Sequence, residues 1–252
     1  MFTEQEKTKY NLLAKRLDKK INKSLETLNK FFNQVQNPYI SVSFGKDSIV
    51  CLHLTLQVKP NIKVIWVNRG EGGDIEDIHR VIKWYKDNFK INLIELRTGY
   101  SILELYKKSS IAYMEKKKSI TNMLKKAFKD FNREDKTDGI IWGLRAEEAI
   151  KRTWLIKSKG VINKEKNGII KCSPIAYWKA DEIWAYIYKN KLAYLNWYDI
   201  CSVNSYDREN LRYSNWAGIF AIEAGRFVNI KRFYPQLYQK LVEIDPIVKS
   251  YT

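Results

Sequence analysis

The order of apolar and amphipathic stretches between residues 39 and 97 restricts the fold more than any other feature of the sequence. Three short apolar runs predict β-strands over Tyr39–Phe44, Lys63–Asn68 and Ile91–Arg97. Two stretches with helical spacing, Ser48–Gln57 and Asp74–Phe89, lie between them. Strands that alternate with helices form βαβ units with parallel strands. The sequence therefore predicts an α/β protein built on a parallel sheet that is flanked by helices.

Further elements extend this core on both sides. Apolar residues at near-helical spacing predict a helix or helix pair over residues 4–35. After the third strand, the pattern predicts a basic and largely helical segment over 101–132, a buried strand Gly139–Leu144, a β-hairpin over 161–174, a helix Lys179–Asn190 and a mostly helical tail from about residue 207. The hairpin prediction depends on the turn signal Lys166-Asn167-Gly168 between two apolar runs. We expect one α/β domain with helical additions at both ends.

The charge of the chain favours anionic partners. The 45 Lys and Arg residues, against 28 Asp and Glu residues, give a formal net charge of +17 at pH 7. Such a balance is typical of proteins that bind nucleotides, nucleic acids or acidic substrates. A generally lysine-rich composition would give the same total, so both explanations stay open.

Neither a membrane span nor a metal cluster is expected from the sequence. No window reaches the roughly 18 apolar residues that a membrane span needs. The charged N-terminus lacks the apolar core of a signal peptide, so we expect a cytoplasmic protein. Two histidines, His53 and His79, and three cysteines, Cys51, Cys172 and Cys201, are far apart in the sequence. Because their spacing fits no known cluster motif, we expect neither an iron–sulfur cluster nor zinc.

A short polar loop directly follows the first predicted strand. Its six residues are Ser43, Phe44, Gly45, Lys46, Asp47 and Ser48. Ligands of parallel sheets bind beyond the carboxyl ends of the strands, and the free N–H groups at a helix N-terminus favour anions. Gly45 allows close approach of the backbone, Lys46 supplies positive charge, and Asp47 can hold a Mg²⁺ ion that bridges phosphates. The pattern predicts a phosphate-binding loop, although the Walker sequence of ordinary P-loop ATPases is absent.

Two arginines are expected close to this loop. Arg145 follows the predicted strand Gly139–Leu144 and should emerge at the same edge of the sheet. Arg152 comes seven residues later, so the two side chains share one face if the segment is helical. Guanidinium groups suit the oxygens of phosphate and sulfate. Glu148, three residues from Arg145 and four from Arg152, is expected to orient them.

Four stretches of the sequence resemble one family, and they occur in that family's order. They are Ser43–Ser48, Ile65–Gly73, Gly143–Arg152 and Ser173–Asp199, which together span roughly residues 38–200. The first resembles the PP-loop of the ATP pyrophosphatases. Phe44, where that loop often has glycine, is similar to the branch that contains phosphoadenosine phosphosulfate (PAPS) reductases, the small subunit of bacterial sulfate adenylyltransferase, and FAD synthetase.

This resemblance implies a fold, its ligands and a set of site residues. The implied fold is the adenine nucleotide alpha hydrolase-like, Rossmann-like sheet, with a helical segment 1–37, a PAPS reductase-like nucleotide-binding domain 38–200 and a mostly helical extension 201–252. The implied ligands are ATP and Mg²⁺, with Asp47 as the metal ligand. The implied catalytic residues are Lys46, Asp47, Arg145 and Arg152, and the implied nucleotide-binding residues are Ser43, Phe44, Gly45, Lys46, Asp47, Ser48, Asn68, Arg69 and Gly70.

The cysteines depart from those of the PAPS reductases. The reductases have a catalytic cysteine near the C-terminus, whereas the last cysteine here is Cys201. We therefore expect adenylyl transfer, in which an anionic small-molecule acceptor attacks the α-phosphorus of ATP and pyrophosphate leaves. Two alternatives stay open. One is an ATP-dependent tRNA- or DNA-modifying enzyme of the thiolation type that works with a sulfur-donor partner, and the other is a non-catalytic nucleotide-binding subunit of a larger assembly.

Overall fold

The structure is a computed structural model that describes residues 2–70, 77–101, 103–104, 107, 115–202, 208–209, 211 and 226–252, with the backbone alone for residues 115–121, 201–202 and 226. Its helices are α1 (Glu4–Ala14), α2 (Asp18–Phe32), α3 (Lys46–Val58), α4 (Asp77–Phe89), α5 (Glu115–Glu134), α6 (Ile150–Lys159), α7 (Ala180–Lys189), α8 (Trp197–Ser202), α9 (Arg226–Phe233) and α10 (Pro235–Ile244). Its strands are β1 (Pro38–Ser41), β2 (Lys63–Asn68), β3 (Asn92–Arg97), β4 (Gly139–Trp142), β5 (Ile162–Lys164) and β6 (Ile170–Cys172). Two 3-10 turns cover Ala146–Glu148 and Pro246–Tyr251. No helix in these ranges is long and apolar enough to cross a membrane.

The strands form one sheet in the order β3-β2-β1-β4-β6-β5. All neighbours pair in parallel except β5 and β6, which form the predicted antiparallel hairpin. The prediction of an α/β fold with a parallel sheet is confirmed. The chain first moves outward from β1 to β3 and then returns to β4 on the other side of β1. Such a reversal opens a crevice at the carboxyl ends of β1 and β4, and ligands of open α/β sheets bind in such crevices.

The two faces of the sheet are covered unequally. Alternate residues of β1 point to opposite faces, as they do in any strand. Ile40 belongs to the larger core, to which α2, α3, α4 and α7 also contribute. Tyr39 belongs to a small second core on the other face, where Phe128 and Phe131 of α5 pack against it. This second face carries a cavity, which is considered below.

Helix α3 is anchored to α7 through a buried histidine. His53 Nδ1 lies 2.7 Å from the hydroxyl oxygen of Tyr186, and the imidazole meets the ring of Phe89 edge-on at 5.2 Å between centroids. Burial lowers the pKa of His53 below its ordinary value of 6.5. The imidazole is therefore held neutral in the fold at pH values where an exposed histidine begins to take up a proton.

A buried arginine links the N-terminal helix to the end of the domain. The Arg208 guanidinium donates to Glu6 Oε1 at 2.8 Å and to Asp199 Oδ1 at 2.6 Å, and it lies over the rings of Phe2 and Trp184. Burial alone would raise the pKa of the Glu6 carboxyl, but the hydrogen bonds from Arg208 and Thr3 and the charge of Arg208 together outweigh burial, and the pKa is lowered. The ion pair therefore stabilises the fold only while the carboxylate is ionised.

Several predicted boundaries differ from the structure. The first helical region is a pair, α1 and α2, because the chain bends at residues 15–17. The first strand ends at Ser41 rather than Phe44, since the last residues of the predicted run form the loop. The helix predicted over Asp74–Phe89 begins at a residue that lies outside the described residues. Residues 108–114 of the basic segment and 212–225 of the tail also lie outside them.

Candidate active site

The loop after β1 has an unusual backbone that one aromatic residue anchors. Phe44 has a φ of 56°, a left-handed conformation that favours glycine. Its ring is fully buried and packs on Trp66 at 6.5 Å and Tyr85 at 6.0 Å between centroids. The packing of this ring in the core therefore holds Phe44 in a backbone conformation that glycine would adopt with less strain.

The loop hydroxyls bond within the loop and give it a fixed shape. Ser48 Oγ donates to the carbonyl oxygen of Gly45 at 2.9 Å and lies 3.2 Å from Ser43 Oγ. Gly45 is the N-cap of α3 and has no side chain of its own with which to cap the helix. The backbone N–H of Lys46 donates to the hydroxyl of Tyr198 at 3.2 Å. The start of α3 therefore presents backbone amides and the positive end of the helix dipole at the edge of the sheet, which is an arrangement that binds anions.

Asp47 joins two buried cations. Its Oδ2 accepts from Lys46 Nζ at 2.9 Å, and its Oδ1 accepts from Arg145 Nε at 2.5 Å. The side chains of Lys46 and Arg145 are only 3% and 4% exposed. Arg145 also contacts the Glu147 carboxylate and the carbonyl oxygen of Trp178 through Nη1. Burying cations is costly unless they are paired, and Asp47 and Glu147 together supply carboxylates for both cations.

The close approach of β4 to the loop depends on a glycine that the sequence analysis did not single out as a site residue. A Cβ placed on Gly143 would lie 2.9 Å from the carbonyl oxygen of Asp47 and 3.0 Å from Ser48 Cα. Only glycine lets the end of β4 pass this close to the start of α3. Tyr198, which accepts from the Lys46 amide, was missed as well. The position of Gly143 directly after a buried strand was the sequence signal that could have indicated this close backbone contact.

The segment that follows Arg145 is not one helix, so the predicted shared helical face is wrong. A 3-10 turn covers Ala146–Glu148, Ala149 is extended, and α6 begins only at Ile150. Glu148 nevertheless contacts both arginines, since it accepts from the backbone N–H of Arg145 at 3.4 Å and forms an ion pair with the Arg152 guanidinium. Arg145 is buried, whereas Arg152 has a side chain that is 36% exposed. The two arginines therefore lie at the same edge of the sheet, but Arg145 is buried and Arg152 is nearer to the solvent.

The end of β2 lies beside the loop and turns away sharply. Asn68 Oδ1 accepts from the backbone N–H of Gly70 at 2.8 Å, and Gly70 has a φ of 69°. A Cβ on Gly70 would lie 2.7 Å from Ser101 Cβ, so this position also needs glycine. Arg69 lies between them, and residues 71–76, which follow Gly70, lie outside the described residues. The role of Asn68, Arg69 and Gly70 in nucleotide binding stays a prediction.

The thiols that the structure describes are buried away from solvent. Cys51 in α3 and Cys172 at the end of β6 are both completely buried. Burial raises the pKa of each thiol well above its ordinary value. A thiol is nucleophilic only as the thiolate, so neither residue is suited to attack a substrate. Cys201 lies in α8, where its side chain is outside the described part.

The donor set fits one Mg²⁺ ion held jointly with phosphates better than a closed metal site. No group of three or more His, Cys, Asp or Glu side chains converges in the portion of the chain that the structure describes. Mg²⁺ usually uses one or two carboxylates together with substrate phosphates. Each oxygen of Asp47 has one cationic partner and retains a lone pair. Asp47 is therefore a suitable single protein ligand for this ion.

The sheet order and the loop at its edge define a nucleotide-binding α/β protein of the PP-loop type. A family model described as the phosphoadenosine phosphosulfate reductase domain matches residues 37–202. The chain belongs to this family, in the PAPS reductase branch of the PP-loop superfamily.

Individual relatives are distant in sequence. An adenosine 5'-phosphosulfate reductase of Bacillus mycoides is 25% identical over 214 residues, which cover 80% of this chain and 89% of that protein. An uncharacterized protein of Methanocaldococcus jannaschii is 26% identical over 238 residues, which cover 91% of this chain but only 53% of that protein. The family and the reductase relative indicate an enzyme without identifying the reaction of this chain.

Two solved structures share the fold. A phosphoadenylyl-sulfate (PAPS) reductase from Candida auris, in a phosphate complex, has a TM-score of 0.56 and 19% identity, over 75% of this chain and 90% of that one. A U34-tRNA thiolase from Methanococcus maripaludis, with its 4Fe–4S cluster, has a TM-score of 0.54 and 15% identity, over 91% of this chain and 80% of that one. At such low identity the likeness concerns the fold alone.

Proposed function

We propose that this protein binds Mg·ATP, or a related adenylyl nucleotide, at the loop Ser43–Ser48 and transfers the adenylyl group to an anionic acceptor. One observation carries the proposal above all others. Lys46 and Arg145 are buried cations that converge on Asp47 at the start of α3, where backbone amides also point. This charge distribution suits a pyrophosphate group better than any neutral ligand.

The reaction follows from this charge distribution. An oxygen of the acceptor attacks the α-phosphorus and forms a new P–O bond. The bond between the α-phosphorus and the oxygen bridging to the β-phosphate breaks, and pyrophosphate leaves with the electron pair. Lys46 and the amides of α3 neutralise the leaving group, while Arg145 holds the α-phosphate side. Such a transfer needs positioning and charge neutralisation above all, and an anionic acceptor needs no general base.

Arg152 is the candidate contact for the acceptor. It lies at the outer edge of the site, and Glu148 fixes its guanidinium while also accepting from the Arg145 backbone. Its partial exposure lets an incoming anion reach it, whereas Arg145 is enclosed. When bound, Mg²⁺ held by Asp47 would supply further positive charge to the phosphates. In this proposal Lys46 and Arg145 bind the phosphates in the interior of the site, and Arg152 binds the acceptor at its outer edge.

Sulfur reduction by a thiol of this chain has less support. Cys51 and Cys172 are buried with raised pKa values, which keeps both as inert thiols at neutral pH. We expect no thiol-dependent formation of sulfite from PAPS or adenylyl sulfate. Robust sulfite production with thioredoxin or glutaredoxin that Cys201→Ser abolishes would contradict this expectation.

The proposal is tested by incubating the protein with α-labelled ATP and Mg²⁺, with and without sulfate, and measuring pyrophosphate release and the labelled product. Asp47→Asn keeps the size of the side chain but removes its charge, and we expect much weaker Mg·ATP binding or turnover. Asp87→Asn, at an exposed aspartate of α4, is the matched control and should behave as wild type. Unchanged nucleotide affinity and turnover in Asp47→Asn would refute the site.

Arg152→Ala separates the acceptor from the nucleotide. We expect a loss of about 1.5–3 kcal/mol in acceptor-dependent turnover, the usual value of a hydrogen bond to a charged group, with little change in ATP affinity. Arg16→Ala, at an exposed arginine after α1, controls for the loss of one charge. If the wild type binds ATP tightly but releases no pyrophosphate with any anion tried, the chain is a nucleotide-binding subunit and the transferase proposal fails.

A further inference from the structure

A second cavity lies on the face of the sheet that α5 covers. It has a volume of about 680 Å³, is bounded by α5, by β1 and β4, and by the β5–β6 hairpin, and is partly open to solvent. This volume is typical of pockets that hold a small organic group. The cavity runs along the strands from Thr137 to Trp142 and is separate from the loop Ser43–Ser48, none of whose residues lines it.

The walls of this cavity are aromatic and apolar. Trp142 at the end of β4 forms one wall, and Phe128 of α5 forms another, where it stacks parallel to Tyr39 with ring centroids 6.4 Å apart. Lys171 lies over the ring of Trp142 with Nζ 4.3 Å from its centroid, and it forms an ion pair with Glu165. Flat apolar walls of this kind suit a planar ring system.

The rim of the cavity carries a regular row of cations. Lys125, Lys129 and Arg133 follow one another at intervals of four residues on α5 and all line the cavity. No ion pair involves Lys125 or Lys129 within the described ranges, whereas Arg133 forms long ion pairs with Asp130 at 3.8 Å and Glu134 at 3.9 Å. Like charges at this spacing repel one another, so a bound anion would relieve the repulsion.

The length of this row distinguishes a single anion from a chain of anions. Lys125 and Arg133 are eight positions apart on the helix, a distance of about 12 Å along the axis at 1.5 Å per residue. One phosphate group cannot contact all three cations at once, whereas a sugar–phosphate backbone that lies along α5 can. The row therefore favours an extended polyanion that also carries flat rings.

The amide of Asn132 does not add to this argument. Asn132 lines the cavity, but its side chain forms a hydrogen bond with Tyr39. The aromatic walls, rather than any single polar group, therefore point to a flat base as the group inside the cavity.

We propose that this cavity binds a single-stranded nucleic acid, with one base between Trp142 and Phe128 and the backbone along Lys125, Lys129 and Arg133. A single strand is required because a base stacked and paired in a duplex cannot enter a cavity that is closed on one side by the sheet. This site is additional to the nucleotide site at the loop, and its existence does not depend on the transferase reaction.

The test measures binding of a short fluorescein-labelled poly(dT) strand by anisotropy at salt concentrations between about 0.05 and 0.2 M. Lys125→Gln/Lys129→Gln should reduce the slope of log affinity against log salt by about 1.4, since two phosphate contacts are lost. If these contacts contribute nothing at 1 M salt, the same slope means that the variant binds about 25-fold more weakly than wild type at 0.1 M salt. Lys19→Gln/Lys23→Gln, two exposed lysines four apart on α2, is the matched control and should weaken binding less than about threefold.

Trp142→Leu tests the base pocket independently of charge. It should weaken binding about 5- to 150-fold, the range for loss of one base stack, with an unchanged salt slope. Circular dichroism confirms that this variant is folded. Equal effects of the α5 and α2 lysine pairs, together with no effect of Trp142→Leu, would overturn the proposal. So would equally tight binding of free dTMP or of a duplex of the same length.

Discussion

Gly143→Ala is the most informative single change because it adds one methyl group between β4 and the phosphate loop. The added Cβ would lie 2.9 Å from the carbonyl oxygen of Asp47, and 3.0 Å from both its carbonyl carbon and Ser48 Cα. All three are backbone atoms, which cannot rotate away as the end of a flexible side chain can. The methyl group must therefore push the end of β4 and the start of α3 apart.

The size of this displacement follows from the contact distances. Unstrained carbon contacts begin near 3.5 Å, so the two segments must separate by roughly 0.5 Å. Overpacking of this kind costs about 1–3 kcal/mol of stability. Arg145 lies two residues beyond Gly143 and contacts Asp47 at 2.5 Å, so the displacement acts directly on the ion pair. Because a misplacement of 1 Å can reduce a rate about 100-fold, we expect about a tenfold loss of kcat/KM.

The assay compares Gly143→Ala with Gly99→Ala. In the part of the chain that the structure describes, no atom outside the two adjacent residues lies within 4 Å of a Cβ built on Gly99, so the control adds the same methyl group in open space. Urea unfolding gives the loss of stability, and calorimetric ATP titration and pyrophosphate release give the effect on the site. If Gly143→Ala binds and turns over ATP as well as Gly99→Ala does, the close approach of β4 to the loop does not position Arg145, and the reasoning fails.

Three further outcomes follow from the packing. Phe44→Gly should destabilise the protein by about 2–3 kcal/mol in urea, since loss of a buried aromatic ring costs about 3–5 kcal/mol and relief of the left-handed backbone returns only about 1–2. A gain in stability would contradict this. Arg208→Met should cost about 3–5 kcal/mol at pH 7 by removing the buried cation that bonds to the carboxylates of both Glu6 and Asp199, and the cost should shrink as the pH falls toward their pKa values. His53→Gln should reduce the loss of stability between pH 7.5 and 5.5, because unfolding lets the wild-type imidazole, whose pKa burial lowers, take up a proton as the pH falls below about 6.5. Parallel pH profiles for wild type and variant would show that this burial has no effect on stability.

Local sequence patterns were sufficient for the class of fold and for the phosphate loop. The apolar runs that became β1, β2 and β4 are strong signals because each lies in the centre of the sheet and is buried on both faces. The polar loop after β1 could be recognised because it lies between two buried apolar elements, β1 and α3. The hairpin was predictable from its turn residues alone.

Boundaries at the site were less predictable because tertiary contacts decide them. The segment after Arg145 has helical spacing, yet it folds as a 3-10 turn followed by an extended residue before α6 begins. The carboxylate of Glu148 accepts from the backbone of Arg145 and pairs with Arg152, which is compatible with the turn as well as with a helix. Spacing could not choose between them. Phe44 likewise has its left-handed backbone only because Trp66 and Tyr85 bury its ring.

The sequence by itself determined that this protein is an α/β domain with an anion-binding loop after its first strand, because those properties depend on residues that are neighbours in the chain. Only the tertiary structure decided what surrounds that loop. Asp47 meets Arg145 across 98 residues of chain, and Gly143 lies against the backbone of α3. The cavity beside α5 likewise joins residues from four separate elements, β1, α5, β4 and β6, and from the turn before β6. Such contacts depend on the order in which strands assemble into the sheet, and no local pattern of residues encodes that order.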